Sequence, residues 1–178
     1  MLNEPVTSAH PQQQSNAMKA KLSDLIEGME FQSEDNPEYF DRQTGQIVSV
    51  SREVLDGLES GDPGALADLP DWQREQVEQA TVLAADDGKR FIAPPDKFEF
   101  HEYRHMEQFI GAVDDPVIAD ELWRAIKGRG AFRCFKDMLG RHGLQKKWFR
   151  YRDDAARRFV IEWCDANKIE YEDDTVRE

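Results

Sequence analysis

His101-Glu102-Tyr103-Arg104-His105 fits the pattern H-E-x-x-H. On an unbroken helix, histidines four residues apart share a face and can both ligate zinc, with the glutamate acting as general base on a bound water. Several features oppose that chemistry. Arg104 puts a cation inside a segment that zinc proteases of this type keep buried and uncharged, no G-x-x-H follows, and no third ligand with its own helix signature stands downstream. The plainer expectation is that Tyr103 and Met106 pack inward while His101 and His105 sit at a boundary, with no metal and no cofactor.

Cys134 lies near Arg133 and Lys136, cations that can depress a thiol pKa and favour reactivity. No C-x-x-C and no placeable His-Asn partner accompany it. Free cysteine is among the most buried residue types, so Cys134 and Cys164 are both expected to be packed. No P-loop, G-x-G-x-x-G or G-x-S-x-G motif occurs. The abundant carboxylates do not identify a catalytic pair, and the chain leans away from an enzyme.

The cationic signal is stronger. Between Glu121 and Val160 stand twelve Lys and Arg against four acids, net +8, which leaves -21 for the rest of a chain whose formal charge is -13. Such a sign reversal can mark a local anion-binding face. Arg129, Arg133 and Lys136 are spaced i, i+4, i+7, on one helical face opposite Phe132, Phe135 and Leu139. Gly128 and Gly130 would leave the helix N-terminus open to a phosphate or carboxylate. Trp148, Phe149 and Tyr151 alternate with Lys147, Arg150 and Arg152, a mixture able to stack on and neutralise a single strand. Internal pairing is the competing account: Arg150–Asp154, Asp153–Arg157 and Asp154–Arg158 are i,i+4 pairs of opposite sign. The acidic remainder of the chain, or a second subunit, can absorb more of the charge.

These residues need elements to hold them. Residues 1–18 lack periodicity and read as a flexible tail; Ser15-Asn16-Ala17-Met18 resembles a cloning junction, with Met18 as the native start. Leu22, Leu25, Ile26 and Met29 give one helical face. Two aromatic and β-branched runs around Asp41–Gly45 predict a hairpin within 38–50. Ser51 caps a short helix, Gly61-Asp62-Pro63-Gly64 is a connector, and Asp71 caps the next helix, with Trp72, Val77, Ala80 and Leu83 on one side. Arg90–Ala93 reads as a strand stopped by Pro94-Pro95. The spacing predicts one helix over 98–113 through Phe98, Tyr103, Met106, Phe109 and Ile110, then another after Asp115-Pro116. A third has Phe132, Phe135 and Leu139 as its buried stripe. A long helix over 145–166 has Trp148, Ala155, Phe159 and Trp163 on its apolar face, and residues 169–171 form an edge strand.

With 178 residues, 39% of them hydrophobic and 33% charged, the chain can bury one ordinary core. Eighteen aromatic residues argue against full disorder, and two cysteines cannot make a disulfide framework. No apolar run approaches a membrane span and the polar start fits no signal peptide, so a cytoplasmic setting is expected.

HEYRHMEQF, AIKGRGAFRCFKD, KKWFRYRDDA and EWCDANKI resemble segments of an uncharacterised family of small bacterial proteins that carries only a provisional "uncharacterised protein family" label. LSDLIEGMEFQS, YFDRQTGQIVSVS, DLPDWQRE and FIAPPDKFEFHEY resemble its earlier segments in the same order, so the likeness spans about residues 19–171. The resemblance implies a bacterial source and lends no activity. It also implies that a basic residue usually stands at position 134 and an apolar one at 105, so the family does not require the second histidine.

Together these readings predict an α+β fold: a small antiparallel sheet, including the early hairpin, covered by a mostly helical C-terminal body. A single domain over 19–172 would lie between the tail and a flexible C-terminus at 173–178. The function expected is non-catalytic binding of a protein or an anionic ligand, through Arg129, Arg133, Lys136 and Arg150. The alternatives are a nucleic-acid-binding module using the 129–158 surface, or a zinc hydrolase using His101 and His105 with Glu102 as base.

Overall fold

The computed structural model describes residues 19–61 and 70–175; the expectations for residues 1–18, 62–69 and 176–178 lie outside them. The alternating residues around Asp41–Gly45 form the expected hairpin, β2 (Glu38–Asp41) antiparallel to β3 (Gln46–Ser49), with Phe40 opposite Ile47. Gly45 closes the loop at φ 71°, a left-handed conformation that costs glycine little, and its N–H donates to the Asp41 carbonyl at 2.8 Å. A short strand, β4 (Phe91–Ile92), joins the other edge of β2 antiparallel, giving the order β3-β2-β4. β1 (Ala20–Lys21) and β5 (Tyr171–Glu172) form a separate two-residue parallel pair.

The first two helices are α1 (Leu22–Glu30) and α2 (Arg52–Ser60), and Ser51 caps α2 by accepting from the Val54 N–H at 3.3 Å. Next come α3 (Asp71–Ala84), α4 (Lys97–Phe100) and α5 (Glu102–Gly111). In α3, Asp71 is the first helical residue and Pro70 occupies the capping position. α6 (Pro116–Ala125) is capped by Asp115, which accepts from the Val117 and Ile118 N–H groups. α7 (Ala131–Arg141) and α8 (Gln145–Asn167) complete the helical body. The α+β class is therefore as expected.

α8 has 23 residues and is about 35 Å long at 1.5 Å per residue. Its first half packs Trp148 against Met106, Phe109, Ile110, Leu122, Phe135 and Leu139 of α5, α6 and α7. Its second half packs Ala155, Ala156, Val160 and Cys164 against Leu22, Leu25, Met29, Phe40 and Phe100. A smaller cluster joins Val50 and Val54 to Ala80 of α3. The apolar face of α8 thus runs through Val160 and Cys164 more than through Phe159 and Trp163, which are only half-buried. At roughly 100° per residue Val160 and Cys164 lie well round the helix from Trp148, so the second half of α8 turns a different face to a different cluster.

Four packing expectations change, the first being Tyr103, expected to pack inward with Met106 and found 39% exposed while Met106 is buried. The helix over 98–113 breaks at His101 (φ 49°), so Phe98 points to solvent and is 72% exposed. Phe132 is 45% exposed and meets Tyr103 edge-on at 6.4 Å, whereas Phe135 and Leu139 are buried. Cys134 is exposed, because it falls on the outer side of α7 away from Ala131, Phe135 and Leu139; Cys164 is buried as expected.

Candidate functional site

The H-E-x-x-H segment is divided by the break at His101. Asp96 caps α4 through a 2.7 Å bond from the Phe98 N–H, and Phe100 turns into the core. His101 then takes a left-handed conformation that non-glycine residues rarely adopt, and α5 begins only at Glu102. The two histidines are therefore not on one continuous helix, the premise of bidentate zinc ligation. Glu102 is engaged: it accepts from Arg152 Nε at 3.0 Å, and Arg152 Nη1 donates to Glu30 at 2.6 Å. Burial alone would lower the Arg152 pKa, but the two carboxylates outweigh it and raise it.

His105 is half-buried and stacks on Phe100, with ring centroids 4.4 Å apart. Its Nδ1 is buried without a hydrogen-bond partner. Burial holds its pKa below the usual histidine value, and the positive charges of Arg158 and Arg104 push in the same direction. The Phe100 carbonyl and the Gln108 side chain favour the charged ring, but neither reaches Nδ1 with bonding geometry. His101, Arg104 and His105 line one side of a cleft of about 280 Å³, and Arg158 and Phe159 of α8 line the other. Glu99 and Glu162 line it too, exposed like the two arginines, and neither arginine makes an ion pair among the described residues. Those residues contain no cluster of three or more His, Cys, Asp or Glu able to hold a metal ion.

The cations predicted to act together are distributed differently. Arg129 lies in the turn before α7, between Gly128 (φ 88°) and Gly130 (φ 77°), so it does not share a helical face with Arg133 and Lys136. All three are exposed and without an ion pair among the described residues. Arg150 is exposed too, but it lines a cleft between α1 and α8 alongside Glu27, Glu30, Asp153, Asp154 and Asp174. The predicted i,i+4 pairs of α8 do not form. Arg157 instead pairs with Asp173, whose carboxyl is held down to about 2 chiefly by that bond, and Arg152 bridges Glu30 and Glu102. Long-range partners outcompete intrahelical ones here because packing brings them together with α8 already ordered.

Cys134 lines a further cleft between α6 and α7 with Glu121, Arg124, Asp137 and Arg141. Nearby, His142 Nε2 meets Glu121 Oε2 at 2.7 Å. Cys164 has its thiol pKa pushed up to about 11 by burial, with Asp165 adding to the effect. Sequence reasoning missed Arg104 and Arg158 as a facing pair. Arg104 counted only against zinc, and Arg158 only as a partner of Asp154. The packing of α5 on α8 that brings them together has no local signal in the sequence.

No curated protein and no solved structure matches the chain. A family model described as an uncharacterised protein family, UPF0158, matches residues 65–175, which include every residue of the His105 cleft and both α7 and α8. With more than half of its length matched, the chain belongs to the uncharacterised protein family UPF0158.

Proposed function

We propose that the protein is a non-catalytic, cytoplasmic binding protein of bacteria that engages an anionic partner through Arg129, Arg133 and Lys136. The observation that carries the reading is that these three cations stay exposed and unpaired among the described residues, while Arg124, Arg152 and Arg157 of the same basic segment are paired internally. Exposed Phe132 lies between them in sequence and offers an apolar surface next to the charge. Unpaired surface cations lose little on meeting an anion, since no existing ion pair must break first. Arg129 is the anchor, because its planar fork binds an oxyanion in two-point fashion. Arg150 faces an acid-lined cleft and contributes less.

The test is binding of a labelled single-stranded oligonucleotide and of an acidic peptide, each at two salt concentrations, by wild type and Arg129→Ala/Arg133→Ala. Salt-sensitive binding is expected to at least one probe, weakened about tenfold or more in the variant. A log–log salt slope falling by about 0.7 per lost contact would identify single-strand phosphates as the partner. Absence of salt-dependent binding by wild type, with a clearly destabilised variant, would refute the reading and assign these cations to stability.

A further inference from the structure

We infer that the anionic partner is a single-stranded nucleic acid, whose bases stack on the exposed ring pair Tyr103–Phe132 while its phosphates meet Lys127, Arg129 and Arg133; this deepens, and rests on, the reading of these cations as an anion-binding surface. Tyr103 of α5 and Phe132 of α7 meet edge-on with centroids 6.4 Å apart, and they are 39% and 45% exposed. Of the ring pairs among the described residues, this is the one with both members exposed. Each of the others is built on buried Phe40, Phe100, Phe109, Phe135 or Trp148. Edge-on contact buries less ring face than stacking does, and what it leaves is here in water.

Local bonding holds the rings beside the cations. The Tyr103 hydroxyl donates to the Ile126 carbonyl at 3.1 Å. Ile126 ends α6, so the ring is tied to the Lys127–Gly130 turn, and Phe132 stands in the first turn of α7, just after it. Lys127, Arg129 and Arg133 are exposed and make no ion pair among the described residues. A Cβ built on Gly128 or Gly130 would meet nothing within 4 Å, so the turn is open to an approaching chain. From Leu122 to Lys136 the sequence has five Lys or Arg and no Asp or Glu, and of these cations only Arg124 is paired, with Asp120. Among the flanking acids, Glu102 is held by Arg152 and Glu121 by His142. Glu107 and Asp137 lie one turn beyond Tyr103 and Arg133. Two acids against Lys127, Arg129, Arg133 and Lys136 leave this surface cationic. Phe31 and Phe98 also present rings to solvent, but beside Asp24, Glu27, Glu34 and Asp96, which would repel phosphates. An acidic peptide would satisfy the cations equally but leave the Tyr103–Phe132 rings in water, whereas every base has a face to lay on them.

The experiment compares, on the full chain, a short labelled oligothymidylate, an abasic strand of the same length, which keeps the phosphates and loses the bases, and polyglutamate of matched charge. Wild type is expected to bind the oligothymidylate more tightly than the abasic strand, by roughly five- to hundredfold for one stacked base. Phe132→Leu, at a position 45% exposed, should melt close to wild type and bring the two affinities together. It should leave the salt slope of oligothymidylate binding unchanged, because no phosphate contact is lost. Phe132→Tyr keeps a ring and should keep the preference. Arg129→Ala/Arg133→Ala should weaken both strands and lower the slope. Equal affinity of wild type for the two strands, or tighter binding of polyglutamate, would overturn the stacking site while leaving the anion-binding surface standing, and this comparison needs no variant to fold. A preference for the oligothymidylate that survives in both Phe132→Leu and Tyr103→Leu would also overturn it, by placing the bases elsewhere. No salt-dependent binding of any of the three probes would overturn both.

Discussion

Asp41 offers the sharpest test of how this fold is held. Its side chain is 3% exposed and accepts from Arg90 Nε at 2.9 Å and Nη2 at 2.8 Å. The Gln43 N–H at 2.9 Å and the Thr44 hydroxyl at 3.0 Å complete the set. In Asp41→Asn, one oxygen can keep the Gln43 and Arg90 Nε bonds, but the amide nitrogen would face Nη2, donor against donor. Thr44 can reverse its hydroxyl and accept, whereas a guanidinium cannot. One charge-assisted bond is lost, worth about 1.5–3 kcal/mol, and another becomes a neutral one, costing about 1 kcal/mol more. That places the change at about 2–4 kcal/mol, near the 3–5 kcal/mol typical of breaking a buried pair and lowered because the outer part of Arg90 can rehydrate. In a chain of this size it amounts to roughly 5–15 °C in Tm. Burial pushes the Asp41 carboxyl up, but the Arg90 fork, the Gln43 N–H and the Thr44 hydroxyl outweigh it and hold its pKa below the usual value. A folded pKa below the unfolded one gives stability that is present above about pH 3.9 and is lost as pH falls through the folded value. The gap between wild type and Asp41→Asn should therefore narrow in acid. Urea melts of the cycle Asp41→Asn, Arg90→Met and the double variant measure the coupling. A loss under about 0.5 kcal/mol, or an undiminished loss in the Arg90→Met background, would refute the reasoning.

Cys134 is exposed and Cys164 buried with its pKa raised to about 11, so a thiol reagent should modify one cysteine in the native protein and the second only on unfolding; two fast equivalents would contradict the packing. A fragment limited to residues 65–175 should not unfold cooperatively. It lacks Leu22, Leu25, Met29 and Phe40, all buried in the cluster with Val160 and Cys164, which removes about 6–12 kcal/mol of burial at about 1.5–3 kcal/mol per side chain; a sharp urea transition by circular dichroism would count against it. Asp173→Asn should be destabilising at neutral pH and converge on wild type between about pH 4 and pH 2, the interval from the unfolded carboxylate value to its folded value of about 2; a gap that persists at pH 2 would show that Arg157 is not its main partner.

What was legible in the sequence was local. Ser51 and Asp115 cap the helices that follow them, Gly45 closes the hairpin, and Pro94-Pro95 end β4, because each effect is settled within a few residues. The break at His101 was not legible: helical spacing continues through it, and only the burial of Phe100 against Phe159 and His105 explains the interruption. The partners of the arginines were equally hidden. Arg152 lies 122 residues from Glu30 and 50 from Glu102, and Arg90 lies 49 from Asp41. Charge pattern along α8 suggested i,i+4 pairs, but a partner fixed by tertiary packing has already lost its freedom and costs less to engage. The candidate site followed the same rule. Its residue types were visible at 101–105, and the arginine facing them from α8 was not.

Arg152 links these levels. It stands on α8 between Trp148, which belongs to the aromatic cluster of α5–α7, and Ala155, which belongs to the cluster built on α1 and Phe40. The two apolar cores therefore meet α8 on either side of a charged group. Replacing Arg152 alone would leave Glu30 and Glu102 without their shared cation. What the guanidinium adds is direction. Its two carboxylate partners come from the last residue of α1 and the first residue of α5, so one side chain sets where both helix ends lie against α8. Glu102 held in this way also fixes the start of α5, immediately after the strained His101 and three residues before His105. The cleft that His105 shares with Arg158 is thus positioned by ion pairs outside it, and its geometry depends on the N-terminal α1 as well as on the segment that carries its residues.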